Sequence, residues 1–239
     1  MEAAAVIPAR YDSTRFPGKI LANINGKPMI RHVYERVEIV EEIDTVIVAT
    51  DDHRIFRCVE DFGGRVVMTS PEHTSGTDRI AEVARELSHS LIVNVQGDEP
   101  DIKPEMIASA LRPFVQEEEI KMTTLIRKLD QEEINDPNVV KVVTDKDGNA
   151  LYFSRASIPY IRDNRSGRFY KHIGLYVYRR EFLLQYTSME PTPLEMAESL
   201  EQLRVLENGY RIRAVETELD SIGVDTPEDL ERVQQIMGE

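Results

Sequence analysis

Three cations, Arg10, Arg15 and Lys19, fall within "RYDSTRFPGK" (residues 10–19), directly after the apolar run Ala3–Ile7. The surrounding chain is acidic: 239 residues carry 29 Lys and Arg against 43 Asp and Glu, a formal net charge of −14. Guanidinium and ammonium groups beside Ser13 and the permissive backbone of Gly18 suit the oxygens of a phosphate or polyphosphate. The stretch is not a nucleoside-triphosphate P-loop, because Gly18-Lys19 is followed by Ile20 rather than Ser or Thr, and it has no G-x-G-x-x-G. A solvated basic loop is the competing reading. The position after the first apolar run favours phosphate.

A second stretch, "NVQGDEPDI" (94–102), gathers Gln96, Asp98, Glu99 and Asp101 after the most apolar run of the chain. Carboxylates at the end of a buried strand can bind a hard cation such as Mg²⁺, which prefers oxygen ligands and phosphate partners. The bland alternative is a polar loop running into a helix that begins near Pro104. In "GVDTPEDL" (223–230), Thr226, Pro227 and Asp229 have the spacing of a helix start: a cap, Pro at the first helical position, and an acid three residues after the cap. That leaves the Asp225 carboxylate available to the same cation as Asp98, unless Asp225 is itself the cap. In "HTSGTDR" (73–79), Gly76 and the hydroxyls of Thr74, Ser75 and Thr77 suit contacts to a base and ribose. There Thr77 is expected to cap a helix starting near Asp78. Arg155, His172, Glu201 and Gln202 are scattered polar residues, and spacing alone promotes none of them.

These loops need elements to hold them. Apolar runs rich in β-branched residues, at Ala3–Ile7, Thr45–Ala49, Val66–Met68 and Leu91–Val95, alternate with helical periodicities such as Met29, Ile30, Val33, Val37 and Val40. Strand and helix in alternation predict an α/β fold with a mostly parallel sheet flanked by helices, and ligands then sit beyond the carboxyl ends of the strands. The loops at 8–19, 50–53, 69–79 and 96–104 occupy those ends. Further on, "VVKVVTDKDGNALYFSR" reads as a hairpin turning at Asp147-Gly148, and "FYKHIGLYVYRR" as another alternating strand. Residues 139–185 are therefore expected to form an antiparallel extension of a single domain. The tail reads as helix (Leu194–Leu206), strand (Tyr210–Val215) and helix (Pro227–Met237).

Composition excludes other classes. The acidic balance argues against a nucleic-acid polymer as partner, which needs a broad basic face. No apolar run reaches bilayer length, and the N-terminus lacks the pattern of a signal peptide, so no membrane association is expected. A single cysteine, Cys58, cannot form an internal disulfide and fits a reducing cytoplasm; it reads as a small core residue.

The motifs "IPARYDSTRFPGK", "HTSGTDR", "NVQGDEP", "FSR", "KHIGLYVYRR", "LEQLRVLENGY" and "GVDTPEDLERV" occur here in one order along nearly the whole chain. In that order and spacing the chain resembles the 3-deoxy-D-manno-octulosonate (Kdo) cytidylyltransferases. The first motif is shared more loosely with other sugar nucleotidyltransferases, including those acting on sialic acids. "VQGDEP" with "KHIGLYVYR" and "LEQLR" is specific to the Kdo branch. Phe16 and Ile20 depart from the family's usual Leu and Pro without removing a charge or a hydroxyl. The resemblance implies a Rossmann-like nucleotidyltransferase fold and a homodimer formed through the extension. It also implies Mg²⁺-dependent transfer of the cytidylyl group of CTP to the C2 hydroxyl of Kdo, a step that feeds lipopolysaccharide synthesis. Carried over residue by residue, Arg10, Ser13, Arg15 and Lys19 hold the triphosphate, while Ser75, Asp78 and Arg79 line the cytidine pocket. Asp98 and Asp225 bind Mg²⁺, and Gln96, Arg155, His172, Glu201 and Gln202 face the sugar. The nearest rival is a CTP-dependent transferase for another acidic sugar, such as a sialic acid.

Overall fold

The computed structural model describes residues 2–13, 15–162 and 168–238. The strands are β1 (Ala3–Ala9), β2 (Thr45–Thr50), β3 (Val66–Met68), β4 (Leu91–Asn94), β5 (Met122–Lys128), β6 (Lys141–Thr144), β7 (Ala150–Ser154), β8 (Tyr170–Arg179) and β9 (Arg213–Glu216). The helices that matter to the site are α1 (Met29–Glu38), α2 (His53–Asp61), α3 (Gly76–Arg85), α4 (Pro104–Leu111), α5 (Arg180–Tyr186), α6 (Pro193–Glu198), α7 (Gln202–Glu207) and α8 (Pro227–Ile236).

Among the described residues these nine strands form one sheet whose main path runs β9-β5-β8-β4-β1-β2-β3, and a separate short ladder pairs Asn23–Ile24 with Lys27–Pro28. The pairs β1/β2, β1/β4, β2/β3 and β9/β5 are parallel. β8 runs antiparallel to both β4 and β5. The sheet is thus mostly parallel, with one reversed strand at its centre, and both faces are covered. β1 shows why the sequence does this: Ala3, Ala5, Ile7 and Ala9 enter the core beneath α1, α2 and α4, while Ala4 and Val6 enter the core on the α3 and α5 side.

The hairpin turns where expected. Gly148 has φ +80°, and the Asp145 carboxylate accepts from the backbone N–H groups of Asp147 and Asn149. β6 pairs β7 and the first residues of β8 in antiparallel fashion. The second half of β8 then enters the main sheet, and α5 packs on the core, because Val177, Tyr178, Phe182 and Leu183 are fully buried. The expected segment 139–185 also contains residues 163–167, which lie outside the described residues.

Three local expectations need correction. The helix after 73–79 begins at Gly76, and its cap is Ser75, whose hydroxyl accepts from the Asp78 N–H. Thr77 lies inside the first turn instead. The single helix expected over Leu194–Leu206 is two short ones, α6 and α7, separated by Ser199 at φ +54°. The last strand begins at Arg213 rather than Tyr210, since Tyr210 turns back to close α7, donating its N–H to the Val205 carbonyl. The final helix starts as expected, with Pro227 in its first turn and a reciprocal box between Thr226 and Asp229. Cys58 is half-buried against the main core, and burial raises its thiol pKa, as befits an unreactive residue. No helix among the described residues is long and apolar enough to cross a membrane.

Candidate active site

Loops from opposite ends of the chain meet at the carboxyl edge of β1 and β4. After β1 the chain doubles back through Gly18, whose φ of +73° places its N–H on the Tyr11 carbonyl at 2.8 Å. A Cβ there would lie 3.0 Å from the Tyr11 ring, so the turn requires glycine. Gly97 is constrained differently: its Cβ would meet the Pro8 carbonyl at 3.0 Å, so glycine lets the 96–98 loop press against β1. The C-terminal segment arrives through its own small core, where Val224 and Val233 pack with Ile24 and Met29. A backbone bond from Val224 N–H to the Asp98 carbonyl, 2.8 Å, ties it to the 96–98 loop.

Lys19 lies where the three segments cross. Its ammonium donates to Asp98 Oδ2 at 2.5 Å, Asp225 Oδ1 at 2.9 Å and the Val224 carbonyl at 2.9 Å. Burial works against this charge, but Asp98 and then Asp225 outweigh it and hold the Lys19 pKa above the ordinary lysine value. Arg15, exposed, pairs with the second oxygen of Asp225 at 2.8 Å. The structure therefore brings together two acids 127 positions apart in the chain, on one ammonium.

A cleft of about 440 Å³ opens above this cluster, lined by Arg10, Ser13, Arg15, Lys19, Ser75, Gln96, Asp98, Glu201 and Asp225. Arg10 is held over it by hydrogen bonds to the carbonyls of His73 and Thr74. Two further cavities open from its sides. One, about 240 Å³, shares Gln96 and Glu201 with the cleft and adds Gln202, Tyr176, Tyr178 and Tyr186. The other, about 670 Å³, shares Arg15 and Asp225 and adds His172, Lys171, Asp220 and Glu99. Burial first, and the neighbouring Asp98 charge second, raise Glu99 to about 7.

Within the side cavities the polar groups are oriented. Gln96 gives its amide N–H to Asn94 Oδ1 at 2.9 Å, which leaves its carbonyl oxygen to accept from a ligand. The Glu201 carboxylate accepts from the Thr77 hydroxyl at 2.8 Å, and burial raises its pKa. Gln202 is buried, and its amide nitrogen has no partner. His172 Nε2 lies 2.9 Å from the Thr124 hydroxyl, which is itself 3.0 Å from the Leu175 carbonyl. A hydroxyl has one proton; given to that carbonyl, it leaves the oxygen to accept from Nε2–H. Burial lowers the His172 pKa to about 3, so the ring is neutral and its Nδ1 is an acceptor.

Three predicted residues line none of these cavities. Asp78 accepts from the hydroxyls of Ser75 and Thr74 at the start of α3. Arg79 is fully buried and bonded to Asp51, at 2.7 Å, and to the Thr69 hydroxyl. Arg155 is tied to the Glu198 carbonyl at 3.0 Å and the Pro137 carbonyl at 3.1 Å. Conversely, sequence reasoning passed over Asn94 and the tyrosines. A signal for two of them was present: His172, Gly174, Tyr176 and Tyr178 alternate on one face of β8.

The chemistry of Asp98 and Asp225 fits a hard cation: two carboxylates converge, each partly open, with side chains 30% and 48% exposed. Among the described residues no group of three or more His, Cys, Asp or Glu has metal-holding geometry, so this is not a self-sufficient cage. Two carboxylates completed by phosphate oxygens and water are the usual magnesium arrangement.

Comparison with known proteins agrees with this architecture. A family model described as cytidylyltransferase matches residues 4–213. The 3-deoxy-manno-octulosonate cytidylyltransferase of Geobacter metallireducens is 57% identical, over 98% of this chain and 96% of its own. A CMP:2-keto-3-deoxy-manno-octonic acid synthetase solved with CTP superposes with a TM-score of 0.96 at 44% identity, covering 100% of this chain and 99% of that one. The 4-diphosphocytidyl-2C-methyl-D-erythritol synthase of Anaerococcus prevotii shares the fold alone, at TM-score 0.65 and 16% identity, covering 99% of this chain and 98% of its own. With its cationic first loop, its paired acids and 57% of its residues identical to the Geobacter metallireducens relative along 98% of its length, the chain belongs to the 3-deoxy-manno-octulosonate cytidylyltransferases.

Proposed function

We propose that this protein activates Kdo with CTP, releasing pyrophosphate and forming CMP-Kdo. The observation that carries the reading is the convergence of Asp98 and Asp225 on Lys19 beneath a cleft walled by Arg10, Ser13 and Arg15. Both substrates are anions, so the first barrier is their mutual repulsion. Arg10, Arg15 and Lys19 offset it and orient the triphosphate so that the pyrophosphate leaves toward the basic loop. Thr74, Ser75 and Gly76 line the same cleft beside Arg10, where a base and ribose fit. The sugar lies in the adjoining cavities, with the Gln96 carbonyl, the Glu201 carboxylate, the Gln202 amide and the neutral His172 ring as partners for hydroxyls and carboxylate. The C2 oxygen of Kdo attacks the α-phosphorus while the bond to the β-phosphate oxygen breaks. Mg²⁺ held by Asp98 and Asp225 would neutralise charge on the α-phosphate and acidify the attacking hydroxyl.

The test is pyrophosphate release from CTP and Kdo, with and without EDTA, beside CTP with N-acetylneuraminate and Kdo with the other three nucleotides. Release confined to CTP, Kdo and Mg²⁺ supports the reading. Faster turnover of the sialic acid replaces it with the rival. We also propose a cytoplasmic homodimer joined through the extension within residues 139–185. In support, Leu151 on β7 is 61% exposed and Tyr160 beyond it 87% exposed, two large side chains that a partner would cover. A monomer by light scattering at micromolar concentration would refute this.

A further inference from the structure

Lys19 is 8% exposed, and each N–H of its ammonium has an acceptor: Asp98, Asp225 and the Val224 carbonyl. An ammonium so engaged has no donor to spare for a phosphate. The backbones that present the acids are tied to each other apart from it, by the Val224 N–H bond to the Asp98 carbonyl and by the α8 core, so another cation can take the same oxygens without moving the loops. A divalent ion at those oxygens would stand within a few ångströms of the ammonium, and at that separation like charges repel strongly even at a partly solvated site. The two cations are alternatives. Arg15 is not in the same position, for it holds the outer oxygen of Asp225 from the surface, with its side chain 61% exposed.

We infer that Lys19 is an exchangeable internal counter-ion: it holds Asp98 and Asp225 together until a divalent ion takes their oxygens, and the displaced ammonium swings into the cleft to meet the triphosphate. The cleft that would receive the ammonium is the one Lys19 already lines with Arg10, Ser13 and Arg15. Metal arrival and phosphate capture are then one coupled event, and a single lysine serves both states. This rests on the reading that Asp98 and Asp225 hold the metal.

The experiment measures binding of Mn²⁺ alone to the full-length, EDTA-treated protein, by electron paramagnetic resonance of free Mn²⁺, and melting temperature with and without Mn²⁺. Lys19→Met removes the competitor, so Mn²⁺ should bind about tenfold tighter or better. The metal-free variant should melt below wild type, because the paired acids lose their counter-ion, and Mn²⁺ should raise its melting temperature by more than it raises that of wild type. Lys19→Gln, neutral but still a donor, gives the same comparison if the Met variant does not fold. On the unmodified protein, amine-selective acylation at Lys19, read by mass spectrometry, should accelerate when Mn²⁺ is added. Equal or weaker Mn²⁺ binding by the Lys19 variants, or labelling unmoved by Mn²⁺, overturns the exchange while Asp98→Ala and Asp225→Ala still abolish binding. If those two Asp variants bind Mn²⁺ like wild type, the metal assignment itself falls, and the exchange with it.

Discussion

Replacing His172 with Gln should remove part of this protein's acid sensitivity. Burial lowers the His172 pKa from the ordinary 6.5 to about 3, so across that interval the unfolded chain binds a proton that the folded one does not. Stability tied to this group is therefore intact above pH 6.5 and falls as pH drops toward 3. At pH 4.5 the loss is two pH units' worth, about 2.7 kcal/mol, relative to a non-titrating residue. Glu99 titrates the opposite way: raised from 4.5 to about 7, it is protonated more readily in the folded state, and its contribution fades as pH rises through that window. The decisive quantity is therefore the difference between wild type and His172→Gln, in which Glu99 cancels. Urea unfolding at pH 7 and pH 4.5 measures it. With a slope of about 2.5 kcal/mol per molar, wild type should lose roughly 1 M more in midpoint than the variant. Parallel losses would refute the reasoning, as would an NMR titration of the native His172 ring near pH 6.5. A neutral ring also predicts that the pH profile of kcat/KM between 6 and 8 is unchanged in shape by His172→Gln.

Asp98→Ala and Asp225→Ala should each lower kcat/KM for CTP and Kdo by at least about a hundredfold, the scale of one electrostatic partner lost at the reacting phosphate; near-normal turnover in either would exclude the assignment. Gln202→Leu should leave urea stability unchanged or improved, because the buried amide nitrogen it removes has no partner, while the KM for Kdo rises; a large destabilisation would mean the amide is bonded in the fold. Arg79→Met should cost about 3 kcal/mol of stability, since it strands Asp51 from its fully buried guanidinium. If Arg79→Met instead folded normally and raised the KM for CTP, the residue would belong to the nucleotide pocket rather than the scaffold.

The phosphate reading of Arg10, Arg15 and Lys19 came from local facts: cations, a glycine, and a position after an apolar run. The same holds for the β1–β4 alternation, the Asp147-Gly148 turn and the Thr226-Pro227-Asp229 helix start, because each is decided within a few residues. Thr77 is a poor guide to the cap of α3 because a serine and two threonines compete within four positions, and it is the Ser75 hydroxyl that reaches the Asp78 N–H, in a loop whose His73 and Thr74 carbonyls accept from distant Arg10. The split between α6 and α7 was hidden for a related reason. Ser199 takes a left-handed conformation there, while the Arg204–Glu195 ion pair and the bond from the Tyr186 hydroxyl to the Glu201 carbonyl join distant residues. That Lys19 would face two acids rather than solvent, that Gln96 would be oriented by Asn94, and that Arg79 would be buried against Asp51 are all products of long-range closure. Residue type and short spacing determine which groups are available and which turns they favour; only the packed chain, bringing position 19 to 98 and 225, decides which charge each group must answer and so whether it is free to act on a ligand.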